Sequence, residues 1–568
     1  MYIFRKVNVS FPTLLVLFAT VFALLFFFPS VISGEYLRGY DALTHIFFSN
    51  GYFQEWWNSW DLRWYGGYSR FTYPPLSHQL VALLTFLTNN LELSYQLISW
   101  GLIGIFPFSM FIFCRNFSDR LSSSVAALLV IFSPSIRSIV FVFGQFAGFT
   151  GLVFSLLAAG FWGKYLRVGK KSYLFASVFF SACTVASHHN TAIYFLPGIL
   201  LSVLLALLFQ DEYKQKEVFY RVTIATILIT ITSFIVILPF WLWMLTLKMQ
   251  VPIPHPSRED FSHNYLAAKF FVFDLYGPLL IFVPFVLLYA VRSDKVFRLI
   301  SVFFLFYGIL GLGGTTRLPS LIFGQWWAWL TYERFGVWAT IFLIALSSKY
   351  ITQVKNTIPS LSMLLGICLL VFFTLSWIVA PQSYRSTPER VNVATIKKVF
   401  GEFDYCRYRF LALDFAYQLP DLSISTNAKT LDGLWHTARS DSFMRQSGIG
   451  ALSDALQWPN GEEVLRKFLN RSIPISANCI LVNESGTHST EYKKIITESG
   501  WQHRKTYDST VSLWTNKNNV IQQDLDSSSV RENIVLTILW GVMPVGFFAF
   551  AIITTIVIIF RDLSFNRG

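Results

Sequence analysis

The chain has 568 residues, of which 54% are hydrophobic and 18% aromatic while only 14% are charged, and its mean hydropathy is +0.50. This composition excludes a water-soluble globular protein and predicts a polytopic α-helical membrane protein. The formal net charge of +13 fits basic loops that meet anionic lipid headgroups, whereas a nucleic-acid-binding protein would need a soluble basic face that the sequence does not show.

Apolar runs recur between short polar connectors, and about 20 residues are enough to cross the hydrocarbon core as a helix. The first run, 11–34, follows Arg5 and Lys6. We interpret it as a retained anchor, since its apolar core is longer than that of a signal peptide and no small-x-small cleavage site precedes the next polar loop. The pattern predicts about twelve spans, at 11–34, 94–114, 121–143, 146–165, 172–187, 191–209, 222–246, 266–290, 298–312, 335–348, 359–380 and 533–560.

Lysine and arginine collect in every second connector, and the positive-inside rule makes those connectors cytoplasmic. The N-terminus is then cytoplasmic, and the loops at 35–93, 187–190 and 313–334 lie on the extracytoplasmic face together with 381–531. The segment 74–90 is apolar but short, and counting it as a span would invert the loops after it. We therefore expect it to lie in the interface plane of a plasma-membrane protein.

The composition changes at Pro381, after which charged and small polar residues become frequent and no run long enough to span appears until Ile534. This predicts three parts, since about 150 residues suffice for a domain that folds independently. They are a transmembrane domain at 1–380, an extracytoplasmic soluble domain at 381–531, and a last transmembrane helix with a short cytoplasmic tail at 532–568.

The end of the soluble domain alternates strand and helix patterns, which predicts a mixed α/β fold. We expect a strand at 479–483, a helix at 489–500 and a single strand at 504–516. Cys406 and Cys479 are the two cysteines of this region. The sequence leaves open whether they form a disulfide.

The first external loop carries the most unusual polar residues, in the motifs GYDALTH (39–45) and YPPLSH (73–78). Asp41 and His45 are four residues apart, so on a helix they share one face and present a base beside a hydrogen-bond donor. Asp41 is equally suited to cap that helix. His45 and His78 are either substrate-binding residues or interfacial hydrogen-bonding residues.

Four more loop and rim residues have two interpretations each. Arg63 and Arg70 either attract an anionic substrate or extend toward lipid headgroups. The adjacent His188 and His189 either contact a phosphate or cap a polar loop, and without cysteine or acidic neighbours they are a weak metal signal.

Glu333 and Arg334 stand at the start of a span, where ionisable groups are costly and usually pair or face a cavity. One interpretation is an ion pair between the two side chains or with another helix. In the other, Arg334 binds a lipid phosphate, because the guanidinium matches phosphate oxygens in bidentate fashion.

With Asp41, the stretch WDLRWYGGYSRFTYPPL (60–76) and the short apolar helix after it, the chain resembles the GT-C glycosyltransferases over roughly residues 1–350. Together with TLDGLWHTARSDSFMRQSGIGALSDA (430–455), it looks more narrowly like the membrane family labelled 6-pyruvoyl-tetrahydropterin-synthase-related. The resemblance implies a lipid-phosphate-linked sugar donor and a catalytic role for Asp41. Related transferases carry KPPL where this chain has YPPL, so Tyr73 replaces a lysine.

The leading hypothesis is therefore a membrane glycosyltransferase of cell-envelope glycan biosynthesis. It would transfer a sugar from a polyprenyl- or dolichyl-phosphate carrier to a glycan, lipid or protein acceptor. Displacement of a lipid phosphate needs a base and cations, and we predict no cofactor while leaving a divalent metal open. A glycolipid transporter and a non-catalytic scaffold are the alternatives; a transporter would carry ionisable groups midway along several spans.

Overall fold

The computed structural model describes residues 10–210, 215–255, 260, 262, 274–357, 366, 371, 374, 390–470, 477–516 and 533–565. Most of these residues are helical. The helices of the membrane part are α1 (Phe11–Ile32), α2 (Ala42–Gln54), α3 (Leu76–Thr88), α4 (Leu91–Cys114), α5 (Arg120–Leu129), α6 (Pro134–Arg137), α7 (Phe146–Val168), α8 (Lys171–Ser187), α9 (Leu196–Leu208), α10 (Gln215–Met244), α11 (Phe282–Arg292), α12 (Lys295–Gly311), α13 (Leu318–Phe323) and α14 (Glu333–Thr357).

Eight helices in the described part of the chain are long and apolar enough to cross a bilayer, or nine if the pair Arg120–Phe132 and Pro134–Val142, bent by 50°, is one span. The predicted number of about twelve is therefore not confirmed. The predicted spans 172–187 and 298–312 correspond to α8 and α12, which have only 17 residues each. Of the predicted span 359–380, all but residues 366, 371 and 374 lie outside the described residues. Hydropathy detects an apolar run, but local contacts decide where its helix ends.

The first external loop folds into α2, a two-stranded hairpin of β1 (Trp60–Asp61) and β2 (Tyr68–Ser69), and α3. The 13 residues of α3 extend about 20 Å, which is shorter than the roughly 30 Å hydrocarbon core. The helix predicted there is present. Its contact with the last helix is a hydrogen bond from Gln79 Nε2 to the Trp540 carbonyl oxygen, 2.9 Å long.

The described part of the predicted soluble domain contains a four-stranded sheet in the order β3-β4-β6-β5. The first pair is parallel and the other two pairs are antiparallel. The strands are β3 (Phe410–Leu413), β4 (Cys479–Asn483), β5 (Gln502–Tyr507) and β6 (Val511–Thr515). The helices around them are α15 (Val393–Glu402), α16 (Leu419–Thr426), α17 (Ser442–Gln446), α18 (Gly461–Leu469) and α19 (Ser489–Glu498), and α20 (Ile534–Phe565) follows the domain.

The strand at 479–483 and the helix that follows it are present, but the single strand expected at 504–516 is wrong. The chain reverses there because Asp508 and Ser509 both have positive φ, 47° and 57°. Two such residues form the tight turn that matches strand twist in a hairpin. Cys406 and Cys479 form a disulfide that ties the turn before β3 to β4, which answers the question that the sequence left open.

The domain that contains this sheet packs directly on the predicted first external loop. The Trp64 indole donates to Ser423 Oγ at 3.0 Å, and the Thr430 amide donates to the Arg63 carbonyl oxygen at 2.9 Å. Trp64 is fully buried by these contacts. The loop is therefore enclosed between the membrane helices and the soluble domain.

Candidate active site

Asp41 is held in place by a turn of the chain that comes about a hundred residues later. Its amide donates to the Phe143 carbonyl oxygen at 2.9 Å, directly after the π-helical turn Ser138–Val142. Gly144 then turns with a φ of +64°, and a Cβ there would lie 2.4 Å from the Ala42 nitrogen. Only glycine fits this approach without strain. The start of α2 is thus fixed against the membrane helices.

The Asp41 carboxylate does not cap the helix that it precedes. Asp41 occupies the N-cap position of α2, but its side chain accepts no hydrogen bond from the first turn. Burial raises the pKa of Asp41 to about 6, the Arg334 guanidinium opposes this increase, and the Glu333 carboxylate adds to it. The side chain is half-buried. A carboxyl group with this pKa is suited to accept a proton near neutral pH.

Arg63 and Arg70 are both bound to Asp61. The Arg63 guanidinium contacts Asp61 in bidentate fashion, at 3.0 and 2.6 Å, and also donates to Asn50 Oδ1 at 2.5 Å. Arg70 lies 3.6 Å from the same carboxylate and donates to the Glu55 carbonyl oxygen at 2.5 Å. Burial alone would raise the pKa of Asp61, but the two guanidiniums lower it to about 2. This geometry favours the structural interpretation of both arginines.

Among the described residues, Asp41 has no cationic partner, unlike the other acidic residues between 35 and 61. Glu35 forms an ion pair with Arg137 at 2.9 Å, and Glu55 and Asp61 both lie within 4.0 Å of Arg70. In the described ranges, no cation lies within 4.0 Å of the Asp41 carboxylate. Asp41 is therefore the acid of this segment that is left available for chemistry.

His45 and His78 form a buried pair beside Asp41. His45 Nδ1 and His78 Nε2 are 2.9 Å apart, so one ring donates and the other accepts. Burial and, to a smaller extent, the Arg334 guanidinium together lower the pKa of His45 to about 3. Burial and the neighbouring His45 lower the pKa of His78 as well. The two neutral rings are hydrogen-bonded to each other and thereby fix the position of the surrounding loop. The ring of Tyr73 packs against both of them.

The two adjacent histidines point in different directions. His188 accepts a hydrogen bond from the Thr191 amide at Nδ1, 3.3 Å long, and the Thr191 hydroxyl lies 2.8 Å from the same nitrogen. The proton is therefore on Nε2, which is available as a donor. Gly151 of α7 allows the close approach of His188, since a Cβ there would lie 3.2 Å from the His188 Cβ. His189 instead packs on Phe240, with ring centroids 4.1 Å apart.

Glu333 and Arg334 form no ion pair within 4.0 Å of each other in the part of the chain that the structure describes. Glu333 is 7% exposed, and its Oε2 has no hydrogen-bond partner there. Arg334 Nε donates to Gln145 Oε1 at 3.4 Å, a long bond that leaves most of the guanidinium free. Both residues line one cleft, together with Ile139, Phe143, Gln145, Gly148, Leu152, His188, Thr191, Val337 and Trp338.

The structure thus brings together most of the residues that the sequence singled out. Polar groups surround Asp41. Arg63 and Arg70 instead pair with Asp61, and His189 packs on α10. Sequence reasoning missed Gln145, because its position depends on the π-helical turn before it and nothing in the local pattern marks that turn. The polar residues that line the cleft are Gln145, His188, Thr191, Glu333 and Arg334. Arg334 is near enough to influence the pKa values of Asp41, His45 and Tyr73.

No protein-family model matches the chain, and no curated protein matches it by sequence. Solved structures do match. The arabinofuranosyltransferase AftD from Mycobacteria has a TM-score of 0.55 at 11% identity, with 89% of this chain and 42% of that chain covered. The oligosaccharyltransferase of Archaeoglobus fulgidus in the apo form has a TM-score of 0.51 at 11% identity, with 90% and 75% covered.

The same oligosaccharyltransferase tethered to an acceptor peptide gives a TM-score of 0.50 at 10% identity, with 88% of this chain and 74% of that chain covered. At such identities the likeness shows the fold alone. The narrower resemblance to the 6-pyruvoyl-tetrahydropterin-synthase-related family stays a prediction. The chain is an integral membrane protein that shares its fold with the oligosaccharyltransferase and the arabinofuranosyltransferase named above.

Proposed function

We propose that the protein is a glycosyltransferase that transfers a sugar from a polyprenyl- or dolichyl-phosphate carrier to an acceptor hydroxyl or amide. One observation carries this proposal. The carboxylate of Asp41 has no ion-pair or capping partner among the described residues and stands within electrostatic reach of Arg334. Maintaining an unpaired acid and a largely free guanidinium beside each other is costly unless a substrate uses them.

The chemistry assigned to these groups balances. The acceptor hydroxyl gives its proton to Asp41 while its oxygen bonds to the anomeric carbon of the donor sugar. The bond from that carbon to the phosphate oxygen breaks, and the electron pair leaves with the lipid phosphate. Arg334 and the Nε2–H of His188 then hydrogen-bond the released phosphate, which is the stabilisation that such a leaving group needs.

A transporter is less consistent with the positions of the ionisable groups. The polar groups named above gather at one rim of the membrane helices rather than along the middle of several spans. The experiment that tests the proposal incubates the purified protein with radiolabelled lipid-phosphate sugars and with glycan, lipid and peptide acceptors. Transfer of label that requires Asp41 supports it, and no transfer from any donor contradicts it.

The transfer rate should depend on pH through Asp41. The base must be ionised, so kcat/KM should rise about tenfold per pH unit on the acid side and level off above the pKa of about 6. The Glu333 carboxylate contributes to that raised pKa. Glu333→Gln should therefore move the midpoint of the profile to lower pH. A midpoint that stays unchanged in this variant would contradict the assignment of the profile to Asp41.

The orientation of the protein in the membrane is also testable. We expect position 170 to be cytoplasmic and position 487 to be extracytoplasmic; Lys170 and Thr487 are both exposed. Single cysteines at these positions, with Cys406 and Cys479 left as a disulfide, would be treated with an impermeant thiol reagent in intact cells. Labelling at 487 alone is expected. Labelling at 170 alone would place the candidate site on the cytoplasmic face.

A further inference from the structure

Three tyrosines stand beside Asp41 with hydroxyls that no described protein group uses. Tyr40 precedes it, Tyr73 closes the first external loop, and Tyr417 comes from the soluble domain, in the 3-10 turn Ala416–Gln418. All three are half-buried. In the described ranges, none of the three hydroxyls has a hydrogen-bond partner, and none is fully buried. These three hydroxyls are therefore accessible, and each can donate to and accept from a polar ligand near Asp41.

Tyr417 approaches Asp41 from the side of the soluble domain. Its ring meets the ring of Tyr40 edge to face, with centroids 4.6 Å apart. Burial raises the pKa of Tyr417, and Tyr40 and the carboxylates of Asp454 and Asp41 raise it further. The phenol is therefore close enough to both carboxylates to feel their charge, and a group bound at Tyr417 would also be near Asp41.

Tyr73 also lies near Asp41, and the soluble domain packs against it. Its ring packs on Trp435 with centroids 4.6 Å apart, and the Trp435 indole donates to the Thr72 carbonyl oxygen at 3.3 Å. Burial raises the pKa of Tyr73, the Arg334 guanidinium opposes this, and the Asp41 carboxylate adds to it. Tyr73 thus lies within electrostatic reach of both the proposed base and the proposed phosphate-binding arginine.

The charges divide this region into two parts. Arg334 and His188 offer donors to an anion in the cleft. Tyr417 is accompanied instead by the carboxylates of Asp41 and Asp454, which would repel a phosphate, and Tyr73 adjoins both parts. Phenol rings cover the apolar face of a sugar while their hydroxyls bond to its rim, so this side fits a neutral, hydroxyl-rich ligand.

We propose that Tyr73 and Tyr417 form an acceptor subsite for a neutral carbohydrate and direct one of its hydroxyls toward Asp41. This inference rests on the proposed function, and it gives the soluble domain a role as one wall of the site. It also narrows the proposed class of acceptor to a glycan rather than a peptide or a lipid.

The test measures binding without requiring catalysis. The full-length protein in detergent would be mixed with methyl glycosides and disaccharides of mannose, glucose, galactose and arabinose, and contacts would be followed by saturation-transfer NMR. We expect binding that Tyr417→Phe weakens by up to about 10-fold, the effect of one lost hydrogen bond. Tyr417→Ala should weaken it further. Tyr408, 42% exposed in the same domain, is the matched control, and Tyr408→Ala should bind as the wild type does.

The outcomes separate this inference from the proposed function. Tyr417-dependent sugar binding without transfer from any donor would support the subsite and contradict the glycosyltransferase. Transfer whose acceptor KM is the same in the wild type, Tyr417→Phe and Tyr417→Ala would support the glycosyltransferase and overturn the subsite. The subsite is also overturned if no sugar of the panel binds, or if acceptor peptides bind in preference to all of them.

Discussion

Replacing Asp41 with asparagine should lower sugar transfer by about 10²-fold or more, the usual scale for the loss of a general base. Asparagine fills nearly the same space but cannot accept the proton of the acceptor. Donor binding should be kept, since Arg334 and His188 are unchanged. Asp41→Glu should recover only part of the rate, because the longer side chain displaces the carboxylate. Radiolabel transfer at saturating donor is the measurement.

Thermal stability distinguishes the loss of a base at Asp41 from the loss of a structural contact. The pKa of Asp41 rises to about 6 in the folded protein, above the ordinary value of about 3.9. The stability that comes from the protonated form is present at low pH and is lost as the pH rises through 6. Asp41→Asn should therefore unfold at pH 7 at the same temperature as the wild type or a higher one.

The matched control is Asp119, which does cap its helix by accepting from the Ser122 amide at 2.9 Å. Asp119→Asn keeps a good cap, so both stability and transfer should stay close to the wild type. Near-wild-type transfer by Asp41→Asn would remove Asp41 as the base. Asp61, Glu55 and Glu35, each near an arginine, would then have to be tested in turn.

Loss of Arg334 should weaken binding of the lipid phosphate by about 10- to 150-fold, which corresponds to the roughly 1.5–3 kcal/mol of a hydrogen bond to a charged group. Its guanidinium makes one long hydrogen bond to Gln145 and lines the cleft. Arg334→Lys keeps the charge but loses the planar fork, so it should recover only part of the affinity. Binding of polyprenyl phosphate to Arg334→Ala, compared with the wild type, is the measurement.

Arg317 provides the control for this experiment, because it belongs to the same predicted external loop and is exposed. Arg317→Ala should bind polyprenyl phosphate as the wild type does. If Arg334→Ala folds and also keeps its affinity, the phosphate-binding role is wrong. Acceptor binding should change less than donor binding in Arg334→Ala, which distinguishes a phosphate contact from a general disturbance of the cleft.

The sequence predicts structure correctly where the signal lies within one short segment of the chain. An apolar run long enough to cross a bilayer identified eight of the spans, because the bilayer requires length and hydropathy and little else. The four-residue spacing placed Asp41 and His45 on neighbouring turns, since helix geometry is regular. The strand at 479–483 and its helix were recognised by their periodicity. The hairpin within 504–516 was missed, although Asp508 and Ser509 are residue types that are common in turns.

What a polar residue does could not be decided in the same way. Asp41 and Asp61 are both acids of one loop, but two buried arginines neutralise Asp61, whereas Asp41 is left unpaired among the described residues. Which of them meets a cation depends on how the hairpin folds back. Arg63 is two residues from Asp61 in the sequence, but their side chains meet because the chain turns there.

The site itself is assembled from distant parts of the chain, and only the tertiary structure decides their partners. The Gly144 turn holds the start of α2, and Arg334 comes from the beginning of α14. Tyr417 and Trp435 come from a domain that begins after the predicted eleventh span. The sequence by itself determined a membrane protein with an unusual acid in its first loop. Which groups surround that acid depends on packing between segments up to several hundred residues apart, and no local pattern encodes such contacts.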